Sequence, residues 1–156
     1  MTDRRTAERL ERISRLAERA LKHLLTTDRR LFDVPFTVER AESLASDEAL
    51  AERVEAFVSR FGRLQDMLGD KLLPAYLAAH GEKVATVVEN LDRAERLGLI
   101  QDAQAWMDMR RLRNLMVHEY VDDPTVLASA LEAGHVFVPI MEESALRMLP
   151  TQRTQS

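Results

Sequence analysis

Cysteine is absent from this 156-residue chain. That removes disulfide frameworks, thiol catalysis and thiolate metal sites together, and it fits a reducing, cytoplasmic compartment. Glycine and proline number only five each, too few for the many tight turns of an all-β protein. No stretch approaches the roughly 18 apolar residues of a membrane helix. The N-terminus from Met1 to Arg12 is charged throughout and lacks the apolar region of a signal peptide. Repeats, low-complexity segments, a Gly-rich phosphate loop, a nucleophile elbow and zinc-type spacings are all missing. The chain therefore lacks the machinery to transfer nucleotides itself.

A basic surplus is missing too. The 22 Lys and Arg residues face 26 Asp and Glu, for a net charge of −4. Bulk electrostatics therefore do not advertise a nucleic-acid partner. The distribution is uneven. Residues 1–30 hold nine basic and five acidic groups, a surplus of four positive charges. Residues 31–121 hold 11 and 16, and residues 122–156 hold two and five. Nineteen of the basic residues are arginine, so local guanidinium clusters must carry any argument for an anionic ligand.

What is present is helical periodicity. Leu10, Ile13, Leu16, Ala17, Ala20, Leu21 and Leu24 recur at three- and four-residue spacing, predicting a helix from about Arg4 to Leu25. Asp28 to Thr37 reads as a loop around Pro35. A second helix starts near Pro35–Thr37 and continues through Leu44, or the region stays irregular. Ser46 or Asp47 caps a long helix with Leu50, Val54, Phe57, Val58, Phe61, Leu64 and Leu68 as its stripe. Gly69 and Pro74 predict a kink. The pattern resumes with Val84, Val87, Val88, Leu91, Ala94 and Leu97, closed by Gly98 as a C-cap. Asp102 then caps a helix carrying Trp106, Met109, Leu112 and Met116. Asp122-Asp123-Pro124 restarts the chain into a last helix ending near Leu149. The expectation is an all-α bundle of about five helices, one domain over residues 1–149, with a flexible tail at 150–156.

One segment concentrates chemistry: Met109-Arg110-Arg111-Leu112-Arg113-Asn114-Leu115-Met116-Val117-His118-Glu119-Tyr120. Histidine moves protons near neutral pH, arginine clamps phosphate with paired donors, and asparagine orients either one. Together these parts suffice to cleave a phosphodiester without a metal or other cofactor. At about 100° per residue, Asn114 and His118 lie side by side, whereas Arg113 and His118 point about 140° apart. Two copies of this helix meeting about a two-fold axis would bring both side chains into one cleft, which predicts a symmetric homodimer. A long arginine bending around its own helix is the alternative.

Arg113, His118 and Tyr120 resemble the Arg-x4-His-x-Tyr motif of the HEPN superfamily, in its HepT-like branch, and Asn114 matches the polar residue that follows the arginine there. Phe61-Gly62-Arg63-Leu64-Gln65 with Leu68-Gly69 and Leu73-Pro74 is similar to a helix signature of these proteins. Leu91 through Leu97-Gly98-Leu99-Ile100, followed by Trp106, is similar to the connector before the motif. The likeness covers roughly residues 50–121. It implies a HEPN-like toxin in a type VII-like toxin–antitoxin pair, with an MNT-type nucleotidyltransferase as antitoxin and RNA as substrate. By this resemblance His118 would be the general acid/base and Arg113 would stabilise phosphoryl charge. Asn114 would position His118 or the phosphate. Tyr120 would be the residue that the partner modifies with AMP, adding charge and bulk beside Arg113.

Plainer readings stand beside these. Arg113 and His118 alone would more often form a solvated helix face, and Tyr120 a half-buried anchor. Arg110 and Arg111 either guide RNA or partner, or face water; Glu119 either orients His118 or faces water. Glu132-Ala133-Gly134-His135 has the spacing of half a di-iron site, but no second pair exists, so no metal site is expected and His135 reads as structural or exposed. As a whole, the chain reads as a metal-independent endoribonuclease or as a non-catalytic subunit that binds substrate or nucleotide for a separate nucleotidyltransferase; a purely structural helical dimer is a third reading, which the clustered polar motif makes less attractive.

Overall fold

The computed structural model describes residues 3–118 and 122–150. Among them the regular structure is entirely helical: α1 (Arg4–Leu31), α2 (Val38–Glu42), α3 (Glu48–Asp66), α4 (Leu73–Ala79), α5 (Val87–Arg96), α6 (Ala103–His118) and α7 (Pro124–Met148). A short 3₁₀ turn, Ser43–Ala45, follows α2, and a π turn, Met67–Leu72, joins α3 to α4. These segments exceed the expected number of about five because the kinked rod counts twice and α2 is a helix of its own. Met1, Thr2, the residues 119–121 and the expected tail after Pro150 lie outside the described residues.

The first helix begins where Asp3 accepts a hydrogen bond from the Thr6 amide at 2.8 Å. It does not stop at Leu25. Thr26 and Thr27 donate their hydroxyls to the Lys22 and His23 carbonyls one turn back, at 3.1 and 3.2 Å, which satisfies these β-branched residues within the helix. Packing then carries the last turn, since Leu31 is fully buried. The loop is shorter than expected, and Arg40 fastens it by donating to the Leu31 and Val34 carbonyls at 3.0 and 2.9 Å.

Asp47 caps α3 through the Leu50 amide at 3.0 Å. Val54, Phe57, Phe61, Leu64 and Leu68 are all fully buried. The expected kink takes the form of the π turn, in which the Leu73 amide bonds back five residues to Leu68. Pro74 has no amide to continue a normal ladder and its ring crowds the preceding turn, so a wider turn relieves both problems. Gly81 (φ 72°) and Gly98 (φ 76°) terminate α4 and the α5 region in the left-handed conformation. At each, the following amide reaches back to a carbonyl in the last turn: Glu82 to Leu77 at 2.8 Å and Leu99 to Ala94 at 2.9 Å. Val84 was expected within the helix but precedes it. Thr86 caps α5 through the Glu89 amide, and the buried Asn90 amide ties down both backbone groups of Ala85. Leu91 and Ala94 are core, while Val84, Val88 and Leu97 are exposed.

Buried apolar side chains from all seven helices form one contiguous core. α1 packs along α3, and α7 crosses α1, α2, α3 and α6. A Cβ on Gly134 would stand 3.3 Å from Phe57 and 3.4 Å from the Met116 sulfur, so glycine lets α7 pass close to both neighbours. Glu132 accepts from the Phe36 amide, and His135 Nδ1 lies 2.7 Å from Asp28 while its ring stacks on Phe32. The pair expected to be non-metallic thus ties α7 to the α1–α2 corner. One expectation needs correction: Pro124–Met148 is long and apolar enough to cross a membrane by length and composition, with mean hydropathy 1.3 in its best window. Here its apolar face, including Leu127, Leu131, Val138 and Met141, is buried against other helices.

Gln65 is 4% exposed, yet neither its amide oxygen nor its nitrogen has a hydrogen-bond partner. Burying such a group unpaired costs about 1–3 kcal/mol. Gln65→Met, similar in length and free of that penalty, is expected to stabilise the fold by about 1–3 kcal/mol. Urea unfolding measures this directly, and an unchanged or lowered midpoint would contradict it.

Candidate functional site

The α6 helix starts where Asp102 accepts from the Gln104 amide and Glu95 from the Ala103 amide, both at 2.9 Å. Trp106, Met109 and Met116 face the core. That orientation leaves Arg111, Asn114, Leu115, Val117 and His118 exposed and Arg110 and Arg113 half-buried. Leu112 packs at the core's edge, and Val117 (52% exposed) lies outside it.

Arg113 is the best-defined member of the cluster. Its Nη1 donates to Asp66 Oδ1, the last residue of α3, at 2.8 Å. The guanidinium reaches that carboxylate by crossing Gly62, where a Cβ would stand only 2.7 Å from Arg113 Nε. No side chain fits there without displacing the arginine. Gly62 and Asp66 are one helical turn apart on α3, so the same face supplies both the clearance and the counter-charge. A groove of about 400 Å³ opens beside this contact, lined by Glu55, Ser59 and Gly62 of α3 and by Arg113 and Val117 of α6.

The neighbouring arginines are also matched. Arg110 lies 3.7 Å from Asp70 in the π turn, and Arg111 lies 2.7 Å from Asp108 on its own helix. Each of the three guanidiniums expected to form a local basic patch therefore has a carboxylate partner. Only Arg113 combines its pair with a tight backbone approach.

His118 is the last described residue of α6, and it is solvent-exposed one turn beyond Asn114. It is not among the residues that line the groove beside Arg113. Glu119 and Tyr120 lie outside the described residues, so the orienting role considered for the first and the modification considered for the second rest on sequence. Among the described residues no three metal-ligating side chains come together. Sequence reasoning missed Asp66, Asp70 and the clearance at Gly62. Gly62 stood within a quoted signature, but no spacing rule links position 62 to position 113 before the helices are packed. Compared with protein-family models, curated proteins and solved structures, the chain matches none.

The Arg113–Asp66 pair is about 36% and 46% exposed, so its coupling should lie near the upper end of about 0.2–1 kcal/mol for exposed pairs. A double-mutant cycle with Arg113→Ala and Asp66→Ala measures it. Repeating the cycle in Gly62→Ala should bring the coupling close to zero. An undiminished coupling there would mean that Gly62 does not confine the arginine.

Proposed function

We propose that this chain is a HEPN-like, HepT-type toxin: a metal-independent endoribonuclease that works as a symmetric dimer. In this reading a cognate MNT-type nucleotidyltransferase neutralises it by transferring AMP to Tyr120. The observation that carries the reading is the seating of Arg113, held at the edge of an open groove by Gly62 and Asp66. Asn114 and His118 stand exposed on the same helix.

His118 acts as acid/base while the RNA 2′-hydroxyl attacks its neighbouring phosphorus, the new O–P bond forms, and the 5′-oxygen leaves with a proton. Arg113 stabilises the charge that grows on the phosphoryl oxygens. Because Arg113 and His118 diverge along one helix, the reading requires a second α6 to complete the site. Exposed Leu115 and Val117 beside Asn114 and His118 supply apolar surface for that contact. In the neutralising reaction the Tyr120 oxygen bonds to the ATP α-phosphorus and pyrophosphate leaves. The added nucleotide would then compete for Arg113.

A second reading is a non-catalytic subunit that binds substrate or nucleotide for a separate nucleotidyltransferase. The pairing of Arg110, Arg111 and Arg113 with carboxylates favours it, because charges already matched give less to a transition state.

Expression of the chain alone and with the neighbouring gene, in wild-type and His118→Ala forms, separates the two. The toxin reading predicts growth arrest by wild type alone, relief by the neighbour, and no arrest by His118→Ala or Arg113→Ala. Equal toxicity of all forms, or none from wild type, would remove it. After incubation with the partner and ATP, the Tyr120 peptide should gain the mass of AMP; an unshifted peptide rules out modification there.

A further inference from the structure

A second groove, of about 250 Å³, lies between α1 and α3. Arg19 and His23 of α1 and Arg60 and Arg63 of α3 line it, over an apolar floor that includes Leu16 and Met67. Among the described residues no carboxylate lines this groove. Here the contrast with α6 is sharp, because each arginine there faces an acid. Among the described residues, the side chains of Arg19 and Arg63 make no ion pair or hydrogen bond.

Arg60 is fixed in place without being neutralised. Its Nη1 donates to the His23 carbonyl at 3.2 Å and to the Thr27 hydroxyl. Both acceptors are uncharged, so they orient the guanidinium and leave its charge intact. Three cations around one concave surface raise a local positive potential that an anion would relieve. Guanidinium forks match phosphate oxygens better than any other common anion-binding group. The floor adds a second preference: Leu16 is 42% exposed, which suits a ligand with an apolar ring or sugar beside its charge.

We propose that this groove binds the backbone of single-stranded RNA, as a second contact on the strand that enters the Arg113 groove. Consecutive residues of α3 face the two grooves: Ser59 and Gly62 line the one beside Arg113, Arg60 and Arg63 the other. A strand crossing the α3 ridge passes from one to the other. The choice of RNA rests on the endoribonuclease reading; the uncompensated charge does not.

The test uses the full-length His118→Ala protein, so that the probe survives, and a short fluorescein-labelled single-stranded RNA of mixed sequence. Anisotropy titrations over a range of salt compare this protein with one also carrying Arg19→Gln and Arg63→Gln. A control carries Arg5→Gln and Arg12→Gln, the same charge change on exposed positions of α1 outside the groove. The groove variant should lose about tenfold or more in affinity, and its salt slope should shrink by about 1.4, the counterion release of two single-strand phosphates. The control should change little. Absent binding, an unchanged groove variant, or equal losses in both variants would overturn the proposal. Displacement of the RNA by inorganic phosphate or AMP at concentrations near the RNA's own Kd would identify a small-anion site instead, and preferential capture of polyglutamate an acidic-protein site; either overturns it. Wild-type cleavage assays keep the two readings apart. Groove-dependent binding without cleavage sinks the nuclease and leaves the groove, while cleavage without groove-dependent binding does the reverse.

Discussion

Where α6 meets α3, the arrangement of the candidate site depends on an atom that is not there. With a side chain at position 62, the Arg113 guanidinium would have to leave its present course across α3 toward Asp66. The energy of such a half-exposed pair is modest; its geometric effect is larger. It fixes which way Arg113 points, and so fixes which groove that arginine serves. Burial of Trp106, Met109 and Met116 sets the rotation of α6 about its own axis, and the Gly62 contact then determines what that rotation presents.

Charge in this molecule is organised by compensation. Three arginines along α6 sit against Asp66, Asp70 and Asp108, so each guanidinium of that helix has a carboxylate beside it. The groove between α1 and α3 has the opposite character: Arg19 of α1 meets Arg60 and Arg63 of α3 with no acid among the described residues that line it. An acidic chain can therefore keep a focused positive site, because local potential follows arrangement and not the sum.

Much of the fold was legible in the order of residues. Asp47, Gly98 and Pro124 marked boundaries by chemistry that acts within one helical turn, and they stand where such chemistry places them. The boundaries that shifted were set by contacts distant in sequence. Leu31 extends α1 because the body of the protein buries it, and Val84 stays outside α5 because Asn90 reaches back to Ala85. At the site, Asn114 and His118 share an exposed face as spacing implies. The carboxylate partners did not announce themselves: Asp66 lies 47 residues from Arg113, and pairing across that separation is decided by helix packing.

The π turn between α3 and α4 can be read as an α-helix holding one residue too many. Deleting a residue there would restore regular hydrogen bonds to the rod and improve it locally. The wider turn spreads that residue's rotation over its own length, so deleting it would leave Leu73 and Leu77 facing the core they now fill. Adding a further residue in the regular part of α3 has no such outlet: it would turn everything beyond by about 100° and carry both leucines out of the core. The rod is thus a stretch of chain in which the cost of a one-residue change depends on where it falls, as slack in a rope matters only at the knot.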